Sequence, residues 1–339
     1  MNTTWRQCTI GDVCDTISNT YNSNAQQVVL INTSDVLEGK VLNHIYIPNE
    51  NLKGQFKKTF EEGDILYSEI RPQNKRYAYI DFAPINYIAS TKLMVIRNKN
   101  IVKSKYLYYF LQSDKIISEL QMLAETRSGT FPQITFNELS KLSIKIPPLP
   151  EQDRIISILD SICKKIDINQ QINDNLEEQA KALFKSWFVD FDRNEWVHCE
   201  LGDITLITAG GDRPSKYTNK KTLECNVPIY SNGIDNEGLY GYTNVAKIHE
   251  ESITISARGT IGYVCLRLEP YVPIVRLISI IPNKKELSAK YLYLWALTQN
   301  ITGTGTTQQQ LTVPIFRKTP ISIPSDTKLK QFNSIADPL

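Results

Sequence analysis

The sequence predicts a mixed α/β chain of two structurally related α/β domains joined by one long helix of coiled-coil type. Three observations carry that expectation. The string Trp5-Arg-Gln-Cys8-Thr-Ile10-Gly11-Asp12 returns as Trp196-Val-His-Cys199-Glu-Leu201-Gly202-Asp203, so the chain contains a long internal repeat. Later strings of the first copy recur in the same order in the second. Between the copies, apolar residues step by threes and fours from residue 151 to residue 187, with no glycine or proline among them.

Taken in order, a first domain covers residues 1–150, a spacer helix 151–190, a second domain 191–327 and the start of a second helix 328–339. A length of 339 residues suits about two domains. With 41% hydrophobic and 22% charged residues the composition is that of an ordinary globular protein. No apolar run approaches the roughly 20 residues that cross a bilayer, and the first residues lack the apolar core of a signal peptide. The expectation is a cytoplasmic protein with no membrane contact. Six cysteines without a Cys-x-x-Cys pair argue against zinc and against a disulfide framework. Cys8 and Cys199, at matching strand positions, read as small buried thiols.

Within each domain the elements follow from pattern. Asp64-Ile-Leu-Tyr-Ser68 alternates as a strand does and matches Ser252-Ile-Thr-Ile-Ser256; Arg71 and Arg258 follow closely. Lys105-Tyr-Leu-Tyr-Tyr-Phe-Leu111 and Lys290-Tyr-Leu-Tyr-Leu-Trp-Ala296 read as short helices with aromatic and leucine faces toward a core. Pro132-Gln-Ile-Thr135 lies under Gln309-Gln-Leu-Thr312, and Ile144-Lys-Ile-Pro147 under Ile321-Ser-Ile-Pro324. The frame is kept while the polar loops differ, which suits two modules with different targets.

Pro147, Pro148 and Pro150 end the last strand of the first domain, and Glu151 and Asp153 fall where negative charge favours a helix start. The seam that follows is Ile155, Leu159, Ile162, Ile166, Asn169, Asn173, Leu176, Ala180, Leu183 and Trp187. Two asparagines in a seam cost stability and define register. Thirty-seven helical residues would form a rod of roughly 55 Å. Residues 328–339 align with 151–162, Phe332 under Ile155 and Leu339 under Ile162. The sequence stops about one heptad in, so the second helix is expected to be truncated and the seam to find its partner elsewhere, through self-association or a borrowed helix.

The overall charge of +2 divides unevenly. Residues 1–150 carry 17 Lys/Arg against 14 Asp/Glu, residues 151–195 carry 6 against 10, and residues 196–339 carry 15 against 12. Two mildly basic bodies therefore flank an acidic connector.

Taken together, Leu149-Pro-Glu-Gln-Asp-Arg-Ile155, Leu183-Phe-Lys-Ser-Trp-Phe-Val-Asp-Phe191, Gly129-Thr-Phe-Pro-Gln-Ile134, Gly63-Asp-Ile-Leu-Tyr-Ser-Glu-Ile-Arg71 and Ser256-Ala-Arg-Gly-Thr-Ile-Gly262 resemble the specificity subunit of type I restriction-modification systems. The resemblance covers essentially the whole chain and departs from the family where the second conserved helix is almost absent. It implies two target recognition domains, each reading half of a split double-stranded DNA site. It further implies helices that set the unread gap and dock two modification (methyltransferase) subunits, with restriction subunits joined through them. S-adenosylmethionine, and ATP with magnesium, would then belong to those partners and no cofactor to this chain.

Arginine, glutamine, asparagine and lysine best match the donor and acceptor pattern of a duplex and its phosphates. Candidate DNA-binding residues are Arg71, Gln73, Asn74, Lys75 and Arg76 in one loop, with Ser128, Thr130 and Gln133 in a later segment of the same copy. In the second copy they are Arg213, Lys216, Lys220 and Lys221, then Arg258 and Thr260, then Gln308, Gln309 and Gln310. No catalytic or metal set emerges. Gly210-Gly-Asp-Arg-Pro-Ser-Lys216 lacks the ending of a phosphate loop. No Asn-Pro-Pro-[Tyr/Phe] string is present. Asp64 with Glu69 is only a faint metal-nuclease pair, and His44, His198 and His249 stand far apart. Asp190 and Asp192 read as a helix–loop junction. The competing expectation is a non-enzymatic protein–protein scaffold with two binding domains.

Overall fold

The computed structural model of the chain describes residues 5–50, 52, 54–127, 130–190, 196–283, 285–302 and 310–336. Two compact units divide between Asp167 and Ile168.

The repeated opening string has a structural cause. In unit 1 the strand Arg6–Thr9 pairs antiparallel with Ser143–Ile146, Cys8 opposite Ile144. One helical turn, Ile10–Val13, follows at once. The Thr9 N–H, which would otherwise lack a partner at a helix start, donates to the Asp12 carboxylate at 2.8 Å. A Cβ on Gly11 would lie 3.1 Å from the Cβ of Ser140, a tight approach that glycine avoids where this turn meets the short helix Phe136–Ser140. Unit 2 repeats each step. Val197–Glu200 pairs with Pro320–Ile323, the Glu200 N–H donates to Asp203 at 3.0 Å, and a Cβ on Gly202 would meet the Arg317 Nε at 2.9 Å. Cys8 and Cys199 pack on the cores half-buried rather than fully buried, because their strands lie at the outer edge of each core.

Each unit then builds a four-stranded sheet with the same order. In unit 1 it is Cys14–Ile17, Leu93–Asn98, Ile65–Ser68 and Tyr77–Tyr79; in unit 2 it is Thr205–Ala209, Ile278–Pro282, Ser252–Ile255 and Val264–Arg267. The registers agree: Ile65 pairs with Ile96 as Ile253 pairs with Ile280. The central strands are buried on both faces. Ile65, Tyr67, Met94 and Ile96 face the core under the helices Ser104–Leu111 and Asp114–Arg127, while Leu66, Leu93 and Val95 face a second core with Val29, Ile31 and Ala89. This is the period-two alternation of a strand serving two layers. Unit 2 packs the helix Ala289–Leu297 on its sheet, and its second core around Ile229, Val272 and Ile274 is smaller.

The spacer helix runs without interruption from Leu149 to Phe184, 36 residues or about 54 Å. A wider turn over Lys185–Val189 follows. Its first turns belong to unit 1: Gln152 is buried, donates to the Pro147 carbonyl at 2.8 Å and accepts from the Lys103 N–H at 2.8 Å. Ile155 and Ile156 lie against the core. Asp160 accepts from Lys105 at 2.7 Å and from the Tyr109 hydroxyl. Its last turns belong to unit 2, where Phe184 and Phe188 are buried and Ala180, Leu183 and Trp187 pack against the same core. Between the ends, Ile162 is 49% and Ile166 62% exposed, and Asn169 and Asn173 are exposed. Leu159 and Leu176 are half-buried.

A terminal helix, Asp326–Ala336, begins two residues before the predicted start. Phe332 is fully buried among Phe184, Trp187, Phe188 and Tyr291, ring centroids 5.0–6.4 Å away. The expected partners of Asp160 and Ile162 in the repeat, Asp337 and Leu339, lie outside the described residues.

Candidate nucleic-acid interface

In unit 1 the strand Ile65–Ser68 leaves the sheet into the predicted loop. Arg71 adopts a left-handed backbone (φ 43°), a tight turn over Pro72–Asn74 follows, and Lys75 is again left-handed (φ 52°). Two such residues in one loop are held by its surroundings at a cost, a pattern that concentrates at functional loops. The hold is visible: the Arg71 N–H donates to the Pro132 carbonyl at 3.1 Å, the Ile134 N–H to the Glu69 carbonyl at 2.8 Å, and Ile70 bridges to Gln133. Arg71 and Gln133, separate in sequence, are thus brought together. Arg71, Gln73 and Asn74 are exposed, and Lys75 pairs with Glu38 at 3.2 Å. Arg76 is turned inward, its guanidinium donating to the Ser34 and Val36 carbonyls at 3.1 and 3.4 Å. Thr130 is exposed; Ser128 lies outside the described residues.

The sequence reading missed Lys92. Its ammonium donates to Gln133 Oε1 at 3.0 Å and stands 3.5 Å from the Glu69 carboxylate. Lys58 shapes that turn from below, donating to the Thr91 and Leu93 carbonyls at 3.0 and 2.8 Å, and burial lowers the pKa of its ammonium.

Unit 2 assembles the same parts. Arg258 donates to Gln310 Oε1 at 3.0 Å, and the Leu311 N–H donates to the Ala257 carbonyl at 3.0 Å, as Ile134 does to Glu69. Asn232, also missed, links two loops: it accepts from the Ala257 N–H at 2.7 Å and donates to the Val275 carbonyl at 2.7 Å. Val275 and Arg276 are both left-handed, φ 51° and 61°, which is unusual for a β-branched valine. Arg258, Arg276, Gln310 and Thr312 line a concavity of about 200 Å³. Thr260 follows on the Gly259 turn, its hydroxyl buried with no hydrogen-bond partner among the described residues. Gln308 and Gln309 lie outside the described residues.

The remaining predicted cations stand apart from the Arg258 set. Arg213 stacks on the Tyr217 ring at 3.9 Å and donates to the Tyr240 hydroxyl at 3.1 Å, and Lys216 is paired with Glu224. Lys220 and Lys221 are exposed on the same loop. Its base reaches the Arg276 turn, where the Arg276 N–H donates to the Gly210 carbonyl at 3.0 Å.

Asp64 and Glu69, the acid pair noted in the sequence, each face a cation of the fold, Arg97 and Lys92. Asp64 is buried and receives two bonds from Arg97 at 2.8 and 2.7 Å, which raise the pKa of the guanidinium. Among the described residues no three His, Cys, Asp or Glu side chains converge as metal ligands, and no helix is long and apolar enough to cross a membrane.

A family model described as the type I restriction modification DNA specificity domain matches residues 2–178 and 193–337. The HindI type I restriction enzyme specificity subunit of Haemophilus influenzae is 50% identical over 191 residues, 56% of this chain and 41% of that protein. This chain therefore matches less than half the length of that relative. The MjaIX specificity subunit of Methanocaldococcus jannaschii is 26% identical over 301 residues, 76% of this chain and 69% of that one. Among solved structures, the S subunit of a type I restriction-modification system from M. genitalium superposes with a TM-score of 0.51 at 16% identity, covering 99% of this chain and 89% of that chain. That likeness shows the fold alone. The family match favours DNA specificity over the scaffold reading.

Proposed function

Because the chain belongs to the type I restriction-modification DNA specificity domain family, we propose that it is a non-catalytic specificity subunit, each unit reading one half of a two-part duplex site. The observation that carries this reading is that both units bring an arginine and a matching glutamine to the same edge: the Arg71 backbone is held beside Gln133, and Arg258, one position earlier in the shared frame, bonds to Gln310. Arginine fits the two acceptors of a guanine edge and glutamine the edge of an adenine, so a buttressed Arg–Gln set suits base reading in a major groove. The loops differ around a constant frame, as two different half-sites require.

The spacer helix serves as the ruler for the unread gap. At 3.4 Å per base pair, about 54 Å of helix addresses points roughly one to two duplex turns apart. Two methyltransferase subunits dock along it and carry restriction subunits with them. S-adenosylmethionine, and ATP with magnesium, are bound by those partners, and the assembly works in the cytoplasm on duplex DNA. The exposed Ile162 and Ile166 supply a seam for self-association of this chain or for a borrowed helix.

Selection from a random duplex library by the chain with its modification subunit tests the reading. Enrichment of two short motifs at a fixed gap is expected. A single continuous motif, or none, counts against it.

A further inference from the structure

The register of the two sheets identifies a pair of residues that no sequence motif marks. Ser68 pairs with Leu93 in unit 1, and Ile255, one residue before Ser256, pairs with Ile278 in unit 2. Leu93 therefore corresponds to Leu277, and the residue before each is a cation, Lys92 or Arg276. Both cations stand before the strand that pairs with the one leading into the arginine loop, and both flank the Arg–Gln set: Lys92 donates to Gln133, and Arg276 lines the concavity that holds Arg258 and Gln310.

The surroundings of the two cations differ in one acid. The position whose carbonyl receives the tail segment is Glu69 in unit 1 and Ala257 in unit 2. Glu69 holds the Lys92 ammonium at 3.5 Å. Among the described residues no hydrogen bond or ion pair engages the Arg276 side chain, which is exposed on a left-handed turn. A free guanidinium beside a base-reading pair is placed to take the polyanionic strand that borders any groove. Contacts of that kind set orientation and grip without reading sequence.

We propose that Lys92 and Arg276 are the matched phosphate-contacting cations of their units, and that Glu69 holds back the charge of Lys92 so that unit 1 grips the duplex backbone less than unit 2. This rests on the DNA reading above and adds an asymmetry to it. Each phosphate neutralised by a cation releases counterions and steepens the fall of log K with log salt by about 0.9.

The experiment measures binding of the full chain to a 30-bp mixed-sequence duplex from about 50 to 200 mM salt. Arg276→Asn, a residue that tolerates the left-handed backbone, is expected to flatten the slope by about 0.9. Arg276→Lys should restore it at an unchanged melting temperature. Glu69→Gln is expected to steepen the slope, and adding Lys92→Ala to it should cancel that gain. An unchanged slope in Arg276→Asn, or in Glu69→Gln, overturns the assignment while binding by the unsubstituted chain leaves the DNA reading standing. Absence of salt-dependent duplex binding by the unsubstituted chain overturns both.

Discussion

The two units place an arginine, a glutamine and a second cation on the same scaffold but surround them differently. In unit 1 the cation is tied to Glu69 and the neighbouring lysine to Glu38, whereas in unit 2 alanine replaces Glu69 and Arg276 is free of side-chain partners among the described residues. The strands beneath agree residue for residue in register. The difference teaches where change is tolerated: the sheets cannot slip without turning every core residue outward, but the loops above them exchange charge without disturbing the frame.

The packing of the following helix offers the sharpest way to break the comparison. Phe332 and Ile155 are equivalent, yet Phe332 is fully buried in an aromatic cluster and Ile155 only half-buried. Phe332→Ala should destabilise unit 2 by about 3–5 kcal/mol, and Ile155→Ala should cost unit 1 about 1–2 kcal/mol. Two calorimetric transitions, each moved by only one substitution, would sustain the division; a joint shift would end it. Next in size is the exposed middle of the spacer helix. The paired change Ile162→Glu and Ile166→Glu should convert a self-associating chain to a monomer in sedimentation, and a chain monomeric both before and after removes the seam proposal.

The smallest effect concerns Asp160. Burial pushes its carboxyl up, but the bonds from Lys105 and Tyr109 and the lysine charge outweigh this and leave the pKa below the usual carboxylate value. A depressed folded value means the stabilisation is complete above the unfolded pKa and disappears as pH falls through the folded one. Both partners are about a third exposed, so the contribution is about 0.5 kcal/mol. Loss of unit 1 stability should steepen below about pH 4, and Asp160→Asn should lessen that pH dependence. An identical pH profile in the variant would show that Asp160 contributes nothing.

Much of this was legible in the residues. The repeated Ile/Leu-Gly-Asp string marks a strand stop whose glycine and aspartate have steric and capping causes, and such causes leave local signatures. The heptad run announced an unbroken helix. Periodicity could not say what covers each turn, so the seam read as continuous although Ile155 and Leu183 are drawn against separate cores and Ile162 and Ile166 are left in solvent. Phe184 and Phe188, more deeply buried than the seam residues, lie off it. Among polar residues, Arg76 belonged to a promising run but its guanidinium serves backbone carbonyls. Lys92 and Arg276 stood alone in sequence; the Lys-Leu and Arg-Leu pairs before matching strands were the available signal, and only the strand register gives it meaning.

The central claim is that two related units read two half-sites independently. Replacing residues 196–327 by those of a relative with a different second domain, then repeating the duplex selection, tests it most directly. The account predicts that one half of the selected motif changes while the other half and the gap stay fixed. Changes in both halves, or in neither, would contradict it.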